Sequence, residues 1–178
     1  MKHFQMNILE RFAAITTFVF DMDGVLTDGS IWVFPGNDFI RRMDIKDGYA
    51  LQLAIKKGYR IAVITGSYSQ PVQERLSALG ITDIFQRVHH KKEQLNTYIA
   101  QHKLNKDEVL YMGDDIPDYE VMQAAGIACC PADAVTEIIT ISHYISPKGG
   151  GKGCVRDVIE KVLKINGHWI TDTGVRSV

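Results

Sequence analysis

Four groups of polar residues in this sequence follow short apolar runs, and their side chains are of the kinds that bind metals and phosphates. The first group is Asp21 and Asp23, separated by one residue at the end of an apolar run. Acids that converge in a partly dry pocket repel one another, which raises their pKa values unless a cation lies between them. The other three groups are Thr65-Gly66, residues 86–91, and Gly113-Asp114-Asp115-Ile116-Pro117-Asp118.

A divalent metal would relieve the repulsion between Asp21, Asp23 and Asp114. Oxygen ligands without an organised set of His or Cys favour Mg²⁺, which binds one or two carboxylates together with a substrate phosphate. Thr65 and Gly66 offer a hydroxyl and an open backbone to such a phosphate. We therefore expect phosphate chemistry, which depends on positioning and charge neutralisation.

Each of these residues also has an ordinary structural interpretation. Thr65 is suited to capping a helix, and Asp118 to the first turn of one, where an acid interacts favourably with the helix dipole. Lys91 is followed by Lys92 and Glu93, a pattern typical of a solvated helix start. The order of all four groups along the chain, rather than any one of them, favours a catalytic site.

The elements that must position these groups alternate between β-rich runs and helical spacing. This alternation is typical of βαβ units, so we predict an α/β fold with a Rossmann-like, doubly wound parallel sheet. The carboxyl ends of parallel strands meet at one edge of the sheet, which brings the four groups together. The predicted strands span 15–20, 60–65, 83–86, 109–112, 127–129 and 144–145, and the predicted helices 48–57, 70–79, 92–102, 118–125, 134–140 and 155–163.

A β-hairpin over residues 30–43 interrupts this alternation after the first strand. Two β runs flank a Pro-Gly-Asn-Asp turn, which predicts the hairpin. Its apolar side chains exceed what a two-stranded ribbon on a monomer should expose, so we expect a subunit interface. The alternative is that one face of the hairpin folds onto its own core. The side chains in question are Ile31, Trp32, Val33, Phe34 and Phe39.

The motifs DMDGVLTDG, ITG, the lysine after FQRVHH and GDDIPD resemble, in that order, the four motifs of the haloacid dehalogenase superfamily of phosphatases. The resemblance implies that Asp21 is a nucleophile that forms an aspartyl-phosphate. Asp23 would protonate the leaving group and then activate water. Larger members carry a cap domain, but the segments between these motifs are filled by the hairpin, two helices and a strand, so we expect no cap.

The same resemblance implies the remaining site residues. Mg²⁺ would be held by the Asp21 carboxylate, the backbone carbonyl of Asp23 and Asp114. The phosphate and substrate would be bound by Thr65, Gly66, Lys91 and Arg75, with Lys91 also counted as catalytic and with Asp115 and Asp118 in supporting roles.

Residues 15–164 resemble one capless family more closely, that of 3-deoxy-D-manno-octulosonate 8-phosphate phosphatase. The shared features include the hairpin, DIKDGYAL and the late GGGKGCVRDV. The resemblance implies homotetramers and a sugar-acid phosphate from lipopolysaccharide synthesis. Ser67 stands where the octulosonate enzymes commonly carry Arg, so a nine-carbon, sialic acid-type 9-phosphate remains an alternative substrate. Arg75 would pair with the carboxylate of the sugar acid, although helical charge spacing explains it equally well.

Composition and length limit the other classes of function. The chain has 178 residues and a formal charge of −1, which favours one domain over 1–178 and disfavours nucleic acid as a partner. No apolar run of about 18 residues occurs, so we expect a cytoplasmic protein away from membranes. The three cysteines are expected to be small core residues. The segment from Ile165 onward is expected to be a disordered end, with a tail that covers a neighbouring site as the alternative. A phospho-accepting receiver module is a further alternative, but receivers place the phosphorylated Asp after the third strand.

Overall fold

The fold is a six-stranded sheet with helices on both faces and a separate two-stranded hairpin. The computed structural model describes residues 7–35 and 38–175. All six strands of the main sheet run parallel, in the order β5-β4-β1-β6-β7-β8. The strands are β1 (Thr17–Phe20), β2 (Trp32–Phe34), β3 (Asp38–Ile40), β4 (Arg60–Ile64), β5 (Asp83–Phe85), β6 (Val109–Met112), β7 (Ile127–Cys130) and β8 (Tyr144–Ile145).

Two apolar layers enclose the sheet, which confirms the predicted doubly wound α/β architecture. Along β1 the side chains point alternately to the two layers. Phe18 and Phe20 pack in the layer with the first, second, third and seventh helices of the chain. Val19 packs in the other layer, with the fourth, fifth and sixth helices. Strands covered on both faces are mainly apolar, and all four residues of β1 are buried. The helices are α1 (Ile8–Ala13), α2 (Ile45–Lys56), α3 (Gln70–Ala78), α4 (Lys91–His102), α5 (Tyr119–Ala124), α6 (Thr136–Ile141) and α7 (Cys154–Ile165).

The central position of β1 decides where the site lies. Phe20 pairs with Val63 of β4 on one side and with Met112 of β6 on the other. The chain leaves these strands at the same edge, so the residues that follow Phe20 and Met112 become neighbours. Residues far apart in the sequence are thereby brought to one end of the sheet.

The predicted hairpin is present after β1. Strands β2 and β3 pair antiparallel, with Val33 opposite Phe39, while Gly36 and Asn37 of the predicted turn lie outside the described residues. Its base is held by a bridge between Thr27 and Met43. Among the described residues, this hairpin and α2 fill the connection from β1 to β4, and no cap domain is found there.

Several boundaries differ from the sequence-based predictions. Helix α2 begins at Ile45 instead of Gly48, because the Asp44 side chain accepts a hydrogen bond from the Lys46 N–H and caps it. Helix α1 was not predicted, although Asn7 and Glu10 form a capping box at its start.

The expectation of a disordered end from Ile165 onward is wrong for the part that the structure describes. Residue Ile165 ends α7, and the segment 166–175 folds back on α2. There Trp169 meets the ring of Tyr49 edge-on, and Asp172 pairs with Lys56 at 2.6 Å. Aromatic burial and an ion pair thus hold a segment that has no regular secondary structure.

Two further sequence expectations concern the core and the membrane. Cys129, Cys130 and Cys154 are buried and free, as expected for small core residues. Within residues 7–35 and 38–175, no helix has the length and apolar character required to span a bilayer.

Candidate active site

The turn after β1 places both aspartates at the carboxyl end of the sheet. The Asp21 N–H donates to the Met112 carbonyl at 3.0 Å, which continues the ladder between β1 and β6 by one residue. The chain then makes a wide turn in which Gly24 has φ +86°. A Cβ atom on Gly24 would overlap the carboxylate of Asp114. Glycine is therefore required here both by the backbone conformation and by the close approach of Asp114.

Thr65 and Lys91 reach the same place from β4 and α4. Thr65 is 2% exposed, and its Oγ1 accepts a hydrogen bond from the Ser67 N–H at 3.2 Å. Lys91 is the first residue of α4, and 8% of it is exposed. Lys91 is not a solvated helix start, because its side chain points into the protein between acidic groups.

All these side chains line one cavity of about 300 Å³. The structure thus brings together eight of the nine predicted site residues, with Arg75 the exception. Gly24, Gly29, Ser67 and Pro117 complete the wall. The predicted residues in the lining are Asp21, Asp23, Thr65, Gly66, Lys91, Asp114, Asp115 and Asp118.

Ser67 also lines this cavity, at the position where the family resemblance implies an arginine. Its Oγ lies 3.1 Å from Oγ1 of Thr65, and either hydroxyl can be the donor. A serine here supplies a short neutral hydroxyl where an arginine would supply a long cation. The wall of the cavity next to Gly66 is therefore less positively charged than an arginine would make it.

Lys91 joins two buried carboxylates. Its Nζ lies 2.9 Å from Oδ1 of Asp21 and 2.8 Å from Oδ1 of Asp118. Asp118 is 1% exposed, and it also accepts hydrogen bonds from the Tyr111 hydroxyl at 2.7 Å and from the Asp114 N–H at 3.3 Å. Asp118 is thus fully engaged with the protein and holds Lys91 against Asp21.

The cavity is short of positive charge. Burial, together with the nearby Asp118, raises the pKa of Asp21 well above its usual range, although Lys91 opposes this. Burial and the charges of Asp118 and Asp115 raise the pKa of Asp114 to about 7. Burial lowers the pKa of the Lys91 ammonium, but Asp21 and Asp118 outweigh that effect and raise it. One lysine therefore does not neutralise the carboxylates around it.

The residues present fit a divalent metal. Carboxylate oxygens of Asp21, Asp114 and Asp118 lie within 4.8 Å of one another. Oδ1 of Asp114 is buried and has no hydrogen-bond partner within the described part of the chain. A buried carboxylate oxygen without a donor is costly unless a cation or water meets it. Since Asp118 is already engaged, Asp21 and Asp114 are the side chains available as ligands.

Arg41 is a neighbour of Asp23 that sequence reasoning missed. Its Nε donates to Oδ1 of Asp23 at 2.6 Å, and its Nη2 donates to Oδ2 at 3.3 Å. Nothing in the sequence distinguishes Arg41 from the adjacent Arg42. Tyr111 was missed too, because a tyrosine inside an apolar strand reads as a core residue.

Arg75 and Asp115 are placed differently from the other predicted site residues. Arg75 does not line the cavity that holds Asp21; it lies beside Gly48 and lines a second cavity of about 290 Å³, between the base of the hairpin and α3. Asp115 lines the first cavity, but its side chain is exposed and accepts a hydrogen bond from the Ile116 N–H at 2.8 Å. Asp115 therefore shapes the turn that carries Asp114 and Asp118.

The glycine-rich segment 149–153 packs on the turn after β1. A Cβ atom on Gly150 would overlap the carbonyl of Gly24, and one on Gly151 would overlap the backbone at Asp28. Asp47 is buried nearby and accepts a hydrogen bond from the Arg156 N–H at 2.7 Å. Burial raises the pKa of Asp47 to about 7. These residues support the turn from behind and do not line the cavity.

Comparisons with known proteins agree with this arrangement. A family model described as haloacid dehalogenase-like hydrolase matches residues 48–132. The 3-deoxy-D-manno-octulosonate 8-phosphate phosphatase of Yersinia pestis is 30% identical over 88% of this chain and 84% of its own.

Solved structures extend the likeness to the fold. The crystal structure of the Yersinia pestis phosphatase has a TM-score of 0.88 at 29% identity, over 90% of this chain and 87% of that one. The Moraxella catarrhalis phosphatase of the same name, solved in complex with a magnesium ion, a phosphate ion and a KDO molecule, has a TM-score of 0.86. It is 32% identical, over 89% of this chain and 91% of that one.

Proposed function

This chain belongs to the haloacid dehalogenase-like hydrolases, in the family of 3-deoxy-D-manno-octulosonate 8-phosphate phosphatases, and we propose that it hydrolyses the phosphate monoester of that sugar acid. The observation that carries the proposal is the contact of Lys91 with the buried Asp21, in one cavity with Thr65 and Gly66. A carboxylate, a cation and neutral donors around one space are what transfer of a phosphoryl group requires.

Asp21 is the proposed nucleophile. Its carboxylate attacks phosphorus, the bond from phosphorus to the sugar oxygen breaks, and an aspartyl-phosphate forms. Lys91 holds Asp21 in place and offers its charge to the phosphate. Thr65 and the backbone at Gly66 bind the remaining phosphate oxygens from the neighbouring strand end.

Asp23 is the proposed acid and base. It gives a proton to the departing sugar oxygen and later takes one from the water that attacks the aspartyl-phosphate. Its side chain is 31% exposed and lines the same cavity as Asp21. A position reachable from the open side of the cavity suits a group that must meet both the leaving group and water.

Mg²⁺ is the proposed cofactor. It would be held by the carboxylates of Asp21 and Asp114 and by the backbone carbonyl of Asp23, with Asp115 and Asp118 supporting that set. When bound, it would neutralise charge that develops on the phosphate oxygens. The magnesium and phosphate ions in the Moraxella catarrhalis relative support this choice.

Removal of divalent metal should stop the reaction. We expect EDTA to lower kcat by at least about 10³-fold and Mg²⁺ to restore it, since uncompensated carboxylates repel the substrate phosphate. Asp114→Asn should raise the Mg²⁺ concentration needed for half-maximal activity by about 10- to 100-fold. Steady-state rates measured against free Mg²⁺ test both points. Full activity after exhaustive chelation, with metal content checked by mass spectrometry, would contradict the proposed cofactor.

The identity of the sugar acid rests on the relatives, and one residue favours an alternative. Ser67 replaces the cation common in the octulosonate enzymes, so a nine-carbon acid 9-phosphate of the sialic acid type is the second candidate. Arg75 remains our proposed partner for the carboxylate of the sugar acid. It has no ion-pair partner among the described residues, and lies in the cavity next to the one that holds Asp21.

A panel of phosphate esters tests the substrate. It should contain octulosonate 8-phosphate, nonulosonate 9-phosphates and simple sugar phosphates, each assayed by release of inorganic phosphate. We expect kcat/KM for octulosonate 8-phosphate to exceed that for the others by at least about tenfold, the scale on which a site resolves small differences in shape. A higher value for a nonulosonate ester would select the alternative, and equal values throughout would refute a sugar-acid phosphatase.

We also propose that residues 1–178 form a single domain that assembles through its hairpin, as a homotetramer. Trp32 is 65% exposed, Val33 72% and Phe39 45%, and large apolar side chains exposed together in this way usually mark an interface. Sedimentation at micromolar concentration should show tetramers, and Val33→Asp should shift them to smaller species. A clean monomer of the unaltered protein would contradict assembly through the hairpin.

A further inference from the structure

The base of the hairpin places one charged side chain, that of Arg41, against Asp23. Arg41 follows β3 directly, and its side chain is 5% exposed. It meets both oxygens of Asp23, at 2.6 Å through Nε and at 3.3 Å through Nη2. Such a two-point contact holds a carboxylate in one plane, which a single point charge does not do.

Backbone contacts near Arg41 fix the position of its main chain. Thr27 and Met43 form a bridge, and the Asp28 N–H donates to the Arg42 carbonyl at 3.3 Å. These contacts tie the end of the hairpin to the loop that follows Asp23. Arg41 therefore reaches Asp23 from an anchored backbone.

Stability alone does not account for this pair. Nη1 of Arg41 is buried and has no hydrogen-bond partner among the residues that the structure describes. A buried donor without an acceptor costs free energy, and a buried ion pair is weak evidence for stability. Arg42, next in the chain, is 71% exposed and lies 3.8 Å from Asp28, as is usual for a surface pair.

From these contacts we infer that Arg41 is a positioning residue, which orients the carboxylate of Asp23 toward the leaving group and the attacking water. The inference rests on the proposed function of Asp23. A carboxylate has about four lone-pair sites, so the two N–H bonds of Arg41 leave one site on each oxygen for the reaction. Because Arg41 directly follows β3, its side chain links the base of the hairpin to the proposed acid and base.

Leaving-group dependence separates orientation of Asp23 from a general structural role. An alkyl phosphate releases a strongly basic alkoxide and needs the proton of Asp23, whereas p-nitrophenyl phosphate releases a weakly basic phenolate and does not. We expect Arg41→Met to lower kcat/KM for octulosonate 8-phosphate by about 100-fold, the usual effect of misplacing a catalytic group by about 1 Å. The value for p-nitrophenyl phosphate should change by less than about threefold. Arg41→Lys should lose about tenfold on the alkyl ester, because an ammonium does not replace the planar fork.

A burst experiment and a matched control complete the test. Rapid mixing of Arg41→Met with p-nitrophenyl phosphate should show a burst of p-nitrophenol followed by slow turnover, since Asp23 must still activate water for the second step. Arg42→Met is the matched control and should behave as the unaltered enzyme with both esters. Melting temperature and sedimentation should be the same in all variants.

Three results would overturn the inference: an equal loss on both esters, no loss on the alkyl ester, or the same loss in Arg42→Met. A wrong choice of substrate is a separate outcome, because the unaltered enzyme would then hydrolyse octulosonate 8-phosphate poorly. If that enzyme prefers another alkyl phosphate, the same comparison of leaving groups is made with that ester.

Discussion

Asparagine in place of Asp21 should abolish hydrolysis of every phosphate ester, with kcat lowered by at least about 10⁴-fold, as is usual when a nucleophile is removed. An amide has no negative charge with which to attack phosphorus. The shape of the side chain is nearly unchanged, and Lys91 keeps its contact with Asp118 at 2.8 Å. Release of inorganic phosphate from octulosonate 8-phosphate and from p-nitrophenyl phosphate measures the loss.

The fold should survive this change. Burial raises the pKa of Asp21, which means that its ionised form is disfavoured in the folded protein. A neutral side chain at this position should therefore leave the melting temperature unchanged or raise it. Thermal unfolding followed by circular dichroism separates the loss of chemistry from a loss of structure.

Two further Asp→Asn variants serve as a control and as a test of the second step. Asp107→Asn makes the same chemical change at an exposed position before β6, at the opposite end of the sheet, and should retain full activity. Asp23→Asn should still form the aspartyl-phosphate from p-nitrophenyl phosphate but hydrolyse it slowly, so the phosphorylated enzyme accumulates and is seen as an added mass. Substantial turnover by Asp21→Asn would remove Asp21 as the nucleophile.

Methionine in place of Lys91 should cost both activity and stability. The side chain is 8% exposed and is the cation between Asp21 and Asp118. Without it, two carboxylates are buried with one fewer positive charge, and breaking a buried pair in this way lowers the free energy of unfolding by about 3 kcal/mol. We expect kcat to fall by about 10²- to 10³-fold, because the charge next to the phosphate is also lost.

Lys92 offers a matched control for this variant. Its side chain is 51% exposed and lies 3.9 Å from the exposed Glu120, so Lys92→Met should change the free energy of unfolding by less than about 0.5 kcal/mol. Urea denaturation gives the free energies, and phosphate release gives the rates. Equal effects of the two substitutions would show that Lys91 acts only as a helix residue.

The strands of the sheet and the order of the site residues could be predicted with little error. The predicted strands 109–112 and 144–145 agree with β6 and β8 to the residue. Buried parallel strands consist of short apolar runs that end at polar residues, and these are visible in the sequence. The polar residues that follow β1 and β6 then had to meet, because parallel strands end at one edge.

Helix starts and the C-terminal segment were harder to predict. The start of α2 depends on one hydrogen bond, which the Asp44 side chain accepts from the Lys46 N–H. Many other polar side chains in a sequence can make such local hydrogen bonds, so the pattern alone does not show which of them caps a helix. The segment 166–175 is held by Tyr49, Lys56 and Tyr59, which are distant in the sequence. Its order is a property of the packed protein and leaves no periodic pattern in the chain.

The sequence by itself determined which residue types follow the strands, and these predict a phosphate site where a parallel sheet brings them to one edge. Only the tertiary structure decided which arginine contacts Asp23 at that site. Arg41 and Arg42 are identical and adjacent, but neighbouring residues of an extended chain point to opposite sides. The packing of the hairpin base against the loop after Asp23 turns Arg41 inward, to 5% exposure, and leaves Arg42 71% exposed.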